Sequence, residues 1–439
     1  MNNKVNRRTF IKQSAVLGAG VTVLKSGILR AGNSPNNKLN IAVIGVGGRG
    51  GANLNHVKGE SIVALCDVNA KNLAKAAEQF PQAETYVDWR KCLDQKNIDA
   101  VVCSTTDHTH AFINVWAMNR GKHVYCEKPL ANSVHEARVV RETYLKNKNK
   151  VATQMGTQIH ASDNYRRMVE LIRAGAIGTP KETRVWCSRE PKGGSYLPEV
   201  KPVPSHVDWD LWVGPSKFHP YNPGYFGGCL AWNRFWDFGS GQIGDMGSHM
   251  LDMPYWALDL RLPTTCAASG TPIDSDTLPL WLTAEWDHPA NDWRPAVKVY
   301  WYDGGKKPGV PSEVFNREKM FKGVIFKGDK GFLVADYGYR ILMPTKGDMT
   351  QYTSPKPKDL IPPSPGHHNE WLIACKTGKP TLCNFDYSGA LIEHNMLALV
   401  AYRVGQKLDW DVKNLKATNC PEADKYIQKK YRRGWVLNG

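Results

Sequence analysis

The chain has 439 residues, 42% of them hydrophobic and 22% charged, with ten cysteines and a formal net charge of +16. Its length predicts two or three domains, and ordinary globular composition excludes wholesale disorder. No stretch of about 18 apolar residues occurs, so no membrane span is predicted.

Residues 1–31 hold six Lys/Arg and no acid, leaving 51 basic against 41 acidic residues in the remainder. Asn6-Arg7-Arg8-Thr9-Phe10-Ile11-Lys12 leads a weakly apolar run, Ala15 to Leu24, with small residues at Ala31-Gly32. This resembles a twin-arginine export signal; the alternative is a disordered basic tail. Residues 1–35 are therefore set apart as signal and linker, and the expected location is the periplasm or another exported compartment. The cysteines are irregularly spaced without a CxxC, and Cys66, Cys103 and Cys126 fall in or at the ends of predicted strands. Buried thiols behave as small apolar side chains. That pattern suits folding in a reducing cytoplasm before export, and it supports no metal site.

The first strong element is Ile41-Ala-Val-Ile44, which runs into Gly45-x-Gly47-x-x-Gly50 and an amphipathic segment from Ala52 to Val57. In this strand–turn–helix context Gly45 permits the turn, Gly47 lets a pyrophosphate approach, and Gly50 lets helix and strand pack closely. Gly48 and Arg49 lie between them, and free N–H groups at the helix start face the phosphates. Ser61–Cys66 ends at Asp67, about 20 residues on, where a carboxylate holds ribose hydroxyls and repels a 2′-phosphate. NAD is favoured over NADP.

Strands at 40–45, 61–66, 100–104, 122–126 and 150–154 alternate with helices at 50–58, 70–79, 108–119 and 133–147. This rhythm predicts an α/β fold with a doubly wound parallel sheet, a Rossmann domain over residues 36–157. From 158 to 439 the texture changes. A helix at 162–174 precedes strands at 182–188, 281–286, 297–302, 324–326 and 332–335, the last two around a hairpin at 327–331. Such runs predict a second α/β domain with a large open, mostly antiparallel sheet. Pro/Gly-rich loops at 191–205 and 354–366 interrupt it, and a long helix spans about 386–404.

Ligands bind at the carboxyl ends of strands in open α/β sheets. Ser104-Thr105-Thr106-Asp107-His108 should therefore line the cofactor cleft, with Ser104, Thr105 and His108 as contacts; His110 has an equal claim to no function. The next strand ends in Glu127-Lys128-Pro129, where Pro129 keeps Lys128 out of helix. Desolvation beside a cationic nicotinamide would depress the Lys128 pKa and suit it to accept a hydroxyl proton, although taken alone it reads as a solvated lysine. In Gly241-Gln-Ile-Gly-Asp245-Met-Gly-Ser-His249-Met-Leu-Asp252, a helix would place Asp245, His249 and Asp252 on one face. A carboxylate there would fix a histidine for acid–base work; a merely wet helix face fits equally.

Together, Gly45-x-Gly47-x-x-Gly50, Glu127-Lys128-Pro129 and Asp245-x-x-x-His249 resemble the glucose–fructose oxidoreductase/inositol dehydrogenase/rhizopine-catabolism (Gfo/Idh/MocA) family over nearly the whole chain after the signal. The resemblance implies a second-domain sheet that often forms an oligomer face. It implies that Lys128, Asp245 and His249 contact the reacting hydroxyl of a sugar-like substrate, and that Glu127 and Lys128 adjoin the cofactor. The segment 189–240 and the basic cluster Lys429-Lys-Tyr-Arg-Arg433 are not general to the family. Trp209, Trp212, Trp232, Trp236 and Trp256, with Arg234, offer ring stacking and hydroxyl contacts to a sugar or simply fill a core. Tyr165 and Arg166 are further candidate substrate contacts, while His367-His368 reads as a cap or substrate contact and not a metal pair.

Export sharpens the expectation, because a dinucleotide enzyme folded before export must carry its cofactor with it. A nicotinamide-dependent sugar oxidoreductase, a redox-neutral glycosidase that oxidises, eliminates and re-reduces, and a non-catalytic sugar or dinucleotide sensor all follow. The sensor needs none of Lys128, Asp245 and His249. No nucleic-acid recognition motif is present.

Overall fold

The computed structural model describes residues 38–197, 200–309, 320–345, 356–357 and 360–438. The twin-arginine stretch lies outside these residues. In the first half, six strands form a sheet: β1 (Asn40–Ile44), β2 (Ser61–Cys66), β3 (Glu84–Tyr86), β4 (Ala100–Cys103), β5 (His123–Cys126) and β6 (Thr153–Met155). Their order is β3-β2-β1-β4-β5-β6 and every adjacent pair is parallel. Apart from Asn40, β1 and β4 consist of Ala, Val, Ile and Cys and are buried throughout, as strands covered by helices on both faces must be. The chain reverses direction across the sheet between β1 and β4, which opens the ligand crevice there. β3 and the short helix Trp89–Leu93 were not anticipated. Three residues of mostly exposed edge strand carry no readable period.

The second sheet has nine strands. In chain order they are β7 (Pro180–Cys187), β8 (Thr265–Gly270), β9 (Leu282–His288), β10 (Val297–Asp303), β11 (Lys322–Gly328), β12 (Gly331–Ala335), β13 (Arg340–Pro344), β14 (Leu408–Asp411) and β15 (Lys416–Ala417). Their spatial order is β13-β12-β11-β7-β10-β9-β8-β14-β15. Adjacent pairs are antiparallel apart from β7 with β10. β9 and β10 alternate buried and half-buried positions, which marks one face turned to a core. The long helix Phe385–Val404 is buried along most of its length. It packs on both β8 and the helix Val134–Asn147, so it joins the two halves. Arg138 donates to Glu393 across that contact at 2.6 and 2.8 Å.

Two features that depart from the family pattern meet in space. Within the 189–240 segment, Trp209, Trp212, Tyr221, Tyr225, Phe235 and Phe238 build a small core of their own. The segment then crosses the nucleotide-binding half: Ala70 donates to the His206 carbonyl and Asp208 donates to the Val68 carbonyl, both at 2.8 Å. The C-terminal tail holds it down. Arg432 donates through its backbone N–H to Pro215 at 2.9 Å, and its guanidinium binds Gly214 and Asp210. Lys429 donates to the Trp236 carbonyl at 2.6 Å. Much of the basic cluster is thereby spent on internal bonds.

Candidate active site

A cleft of about 780 Å³ opens at the carboxyl ends of β1, β2, β4 and β5. At its floor the glycine turn leaves no room for side chains. Gly45 has φ +79°, and a Cβ on Gly50 would lie 1.7 Å from the Gly45 carbonyl oxygen. The helix Arg49–Val57 starts after Gly48 with no side-chain cap, so its first N–H groups, apart from that of Gly50, which donates to the Gly47 carbonyl at 2.8 Å, remain for an anion. At the end of β2, the Asp67 carboxylate accepts from the Val46 and Asn69 N–H groups at 3.0 and 2.8 Å. Burial raises its pKa above the ordinary value while these bonds oppose the rise. An uncapped helix start, a glycine cradle and a carboxylate at the second strand's end fit a dinucleotide. Ser104 and Thr105 line the same cleft.

Glu127 is the organising group below it. Its Oε1 accepts from Arg49 at 3.1 Å and from Asn53 and Gln158 at 2.9 Å each. Asn53 also donates to the Ser104 hydroxyl at 2.9 Å, and its own oxygen meets His368 Nε2 at 3.1 Å. One buried amide thus links the phosphate turn, the β4 loop and the β5 loop. Asn53 and Gln158 escaped sequence reading, since a single polar residue on a helix has no motif.

Lys128 projects into the cleft from the end of β5 and forms an ion pair with Asp245. Arg189 donates to the other Asp245 oxygen at 2.6 Å. Burial alone would lower the Lys128 pKa, but Asp245, with Asp107 and Glu127 nearby, holds it above its ordinary value. This corrects the expectation of a depressed lysine: the carboxylate partner outweighs desolvation. Burial would likewise raise Asp245, yet Lys128 and Arg189 hold it below the usual carboxylate range. His249 also lines the cleft, pushed down to about 3 by burial and by Lys128, and hence neutral. Its Nδ1 is buried without a hydrogen-bond partner.

The helix expected over 241–252 is broken into Gly241–Asp245, Gly247–Met250 and Asp252–Ala257. Asp252 therefore leaves the shared face and binds His160 Nδ1 at 2.9 Å and the Tyr387 hydroxyl at 2.6 Å. Asp245 binds Lys128 and Arg189 and forms no hydrogen bond to His249 among the described residues.

Four other expected contacts lie elsewhere. His108 is buried with its ring nitrogens against the Phe238 and Trp212 carbonyls at 3.2 and 3.0 Å, because helix Asp107–Asn119 turns it toward the aromatic segment. Tyr165 is fully buried and reaches the site only through its hydroxyl, which donates to the His249 carbonyl at 2.7 Å. Arg166 is buried against Glu370 at 2.5 Å. Arg234 lies over the Phe235 ring at 4.7 Å and donates to Gly193. Trp232 does line the cleft, together with Trp212, Tyr225, Phe226 and the exposed Cys229. His367 and His368 neither cap their helix nor reach the cleft. His367 binds the Met155 carbonyl, and His368 stacks on His56 and Tyr125. His110, whose role the sequence leaves open, sets its nitrogens against the Pro129 and Thr105 carbonyls at 2.7 and 3.1 Å and so ties the two cleft loops together.

Residues 39–155 match the family described as "Oxidoreductase family, NAD-binding Rossmann fold", and residues 183–287 match its "C-terminal alpha/beta domain". Inositol 2-dehydrogenase of Salmonella typhimurium is 31% identical over 147 residues, 32% of this chain and 44% of that protein. Levoglucosan dehydrogenase of Pseudarthrobacter phenanthrenivorans is 31% identical over 197 residues, 43% of this chain and 40% of that one. The matched region thus spans less than half the length of these curated relatives. Among solved structures, a levoglucosan dehydrogenase in complex with NADH and levoglucosan superposes with a TM-score of 0.57 at 18% identity, covering 85% of this chain and 99% of the other. The WlbA dehydrogenase from Bordetella pertussis, in complex with NADH and UDP-GlcNAcA, superposes at 0.61 and 13% identity, covering 86% and 99%. With the glycine turn, the Glu127-Lys128-Pro129 loop and the Asp245/His249 segment around one cleft, the chain belongs to the Gfo/Idh/MocA family of NAD-binding oxidoreductases.

Proposed function

We propose that the protein is an exported oxidoreductase that oxidises a hydroxyl of a sugar or glycoside with tightly held NAD. The observation that carries this reading is the Lys128–Asp245 pair beside neutral His249, in the cleft that also holds the glycine turn and Asp67. NAD supplies a hydride acceptor at the nicotinamide. The Lys128 ammonium, fixed by Asp245, donates a hydrogen bond to the substrate oxygen and stabilises negative charge as it develops there. Trp232 and Phe226 offer apolar faces against which a sugar ring stacks.

Export rests on Arg7-Arg8 and the weakly apolar run behind them. All ten cysteines are free thiols, in keeping with folding under reducing conditions. An exported dinucleotide enzyme must retain its cofactor, and the strap of His206 to Asp208 bonded to Val68–Ala70 supports retention. It crosses just beyond Asp67, at the adenosine end of the cleft. A retained cofactor must be reoxidised in place, either by a second sugar or by returning hydride to the same substrate. The second reading, a redox-neutral glycosidase, is favoured by the same strap. Association of copies through the nine-stranded sheet belongs to this proposal and is checked by sedimentation.

The deciding experiment incubates purified protein with a panel of sugars and aryl glycosides and identifies products by mass spectrometry. Keto-sugars support the oxidoreductase, and released aglycone without net keto product supports the glycosidase. Neither product from any member of the panel overturns both.

A further inference from the structure

A groove of about 1370 Å³, larger than the cofactor cleft, lies apart from it. His108 lines the groove while its neighbours Asp107 and Thr109 line the cleft, so the start of the helix Asp107–Asn119 stands between the two. The groove's walls are the start of the helix Val134–Asn147, the last turns of Phe385–Val404, the end of the aromatic segment and the C-terminal tail. The last two walls are the stretches that depart from the family pattern.

Six basic side chains line this groove against three acids. Two of the acids are engaged elsewhere. Glu136 is buried and accepts from Asn132 and Tyr431 at 2.7 and 3.1 Å, and Asp237 holds His219 at 2.7 Å. Of the cations, Lys429 and Arg432 bond internally, to the Trp236 carbonyl and to Gly214 and Asp210. Lys217, Lys425 and Lys430 are exposed and pair with no acid among the described residues. Arg403 lies over the Trp236 and Tyr426 rings at 4.7 and 4.0 Å, and its Nε is buried without a hydrogen-bond partner among the described residues. Burial lowers the pKa of both Arg403 and Lys429, because the acids near them do not outweigh desolvation.

We propose that this groove is a second binding site, for an anionic sugar chain that carries carboxylates or sulfates. Excess positive charge in a cleft draws anions to it. The volume exceeds the ~300–1,000 Å³ of ordinary small-molecule sites, which suits several linked rings better than one. Ring faces decide between sugar and base. A single-stranded nucleic acid needs open aromatic faces for its bases, and the rings here are taken: Arg403 and Tyr402 flank Trp236, Arg403 and Lys425 cover Tyr426, and Trp435 packs on Trp89, Phe112 and Arg90. Phe218, 53% exposed, is the free ring at the mouth among the described residues. Carboxylates and sulfates instead meet the ammonium groups of Lys217, Lys425 and Lys430, and the Gln428 amide offers a donor and an acceptor to hydroxyls. The choice of a sugar chain rests on the sugar reading above, whereas the groove and its charge do not.

Calorimetric titration of the full-length, NAD-loaded protein tests this with a galacturonate hexamer, a sulfated maltohexaose, plain maltohexaose and a dT hexanucleotide. At least one acidic chain should bind, more weakly as salt rises, and plain maltohexaose should bind at least ~10-fold more weakly. Preference between the two acidic chains identifies the anion. Lys217→Gln/Lys430→Gln should weaken the acidic chain at least ~10-fold with NADH affinity and Tm unchanged. Lys146→Gln/Lys148→Gln, which removes as much charge at the other end of the helix Val134–Asn147, should bind as wild type. Should the first double variant fail to fold, Lys425→Gln is read in its place. The proposal is overturned by no binding of either acidic chain at about 1 mM, by equal affinity for plain maltohexaose, by tighter binding of the hexanucleotide, or by equal effects of the two double variants. A protein that binds the chain but oxidises no sugar strikes only the oxidoreductase reading, whereas sugar turnover without chain binding strikes only the groove.

Discussion

The Asp245 carboxylate bridges Lys128 and Arg189, one cation on each oxygen, while His249 stands beside it without a hydrogen bond to it. Asp245 is therefore a holder of cations, and Lys128 is a hydrogen-bond donor in its resting state. Lys128→Met should leave NADH affinity intact and lower turnover at least ~100-fold. Asp245→Asn should release Lys128 from its partner and lower turnover too, but the double variant should be little worse than either single one, because residues acting as a unit are non-additive. Additive losses in steady-state kinetics would show that the two act separately.

Asp67 is the group proposed to set cofactor choice. Its carboxylate is fixed by the Val46 and Asn69 N–H groups, at the place where a 2′-phosphate would sit. Asp67→Ala should weaken NAD, spare NADP, and so narrow the preference in fluorescence titrations. A wild type that already prefers NADP would contradict the assignment of this strand end.

Acid should unfold the protein through its buried histidines. Burial pushes His108, His123 and His394 down to about 4 from the ordinary 6.5, and it pushes His288 well below its ordinary value too. The unfolded chain takes up these protons first. Stability is then complete above about 6.5 and falls as pH drops toward 4, by up to ~3 kcal/mol per histidine. His394 stacks on Trp286 at 4.0 Å with its Nε2 unpartnered. His394→Phe keeps that stack and should flatten the decline of Tm between pH 6.5 and 4, whereas an unchanged slope would exclude His394 as a contributor.

What could be read from the sequence was what repeats or sits in a motif. β1, β2, β4 and β5 showed as continuous apolar runs, and the helix Phe385–Val404 showed through its length. The small-residue strand β8, Thr-Cys-Ala-Ala-Ser-Gly, has weak β-formers and was invisible, as were the edge strands β13 and β15 and the short β14 between β8 and β15. Within the cleft, Gly45, Asp67, Lys128, Asp245 and His249 were found because spacing or neighbours flagged them. Asn53, Gln158 and Arg189 were missed, since their importance comes from partners far along the chain: Asn53 to Glu127, Gln158 to Glu127 and Arg189 to Asp245 span 74, 31 and 56 positions. His108 and Arg166 misled for the converse reason. Their types suit a site, but the helices that carry them turn them into the interior.

The 206–208 strap and the C-terminal tail that anchors its continuation form a clasp beside the cleft. The strap at His206–Asp208 is bonded to Val68–Ala70, directly after Asp67, and the aromatic segment that continues from it supplies Trp212, Tyr225 and Trp232 to the cleft wall. Arg432 anchors that segment through Gly214 and Asp210. Under the proposed function the strap holds the adenosine end of the dinucleotide, and the tail should then govern release more than chemistry. Arg432→Ala should speed NADH dissociation at least ~10-fold, equivalent to about 1.4 kcal/mol lost from the clasp, while kcat at saturating NAD stays within about twofold. Wild type purified without added NAD should release close to one dinucleotide per chain on denaturation, even after long dialysis, and the variant should release much less. Stopped-flow displacement of NADH gives the rate directly. Equal dissociation rates in the two proteins would leave Arg432 as a surface anchor alone, and a wild type that is empty after dialysis would remove cofactor retention from the proposed function.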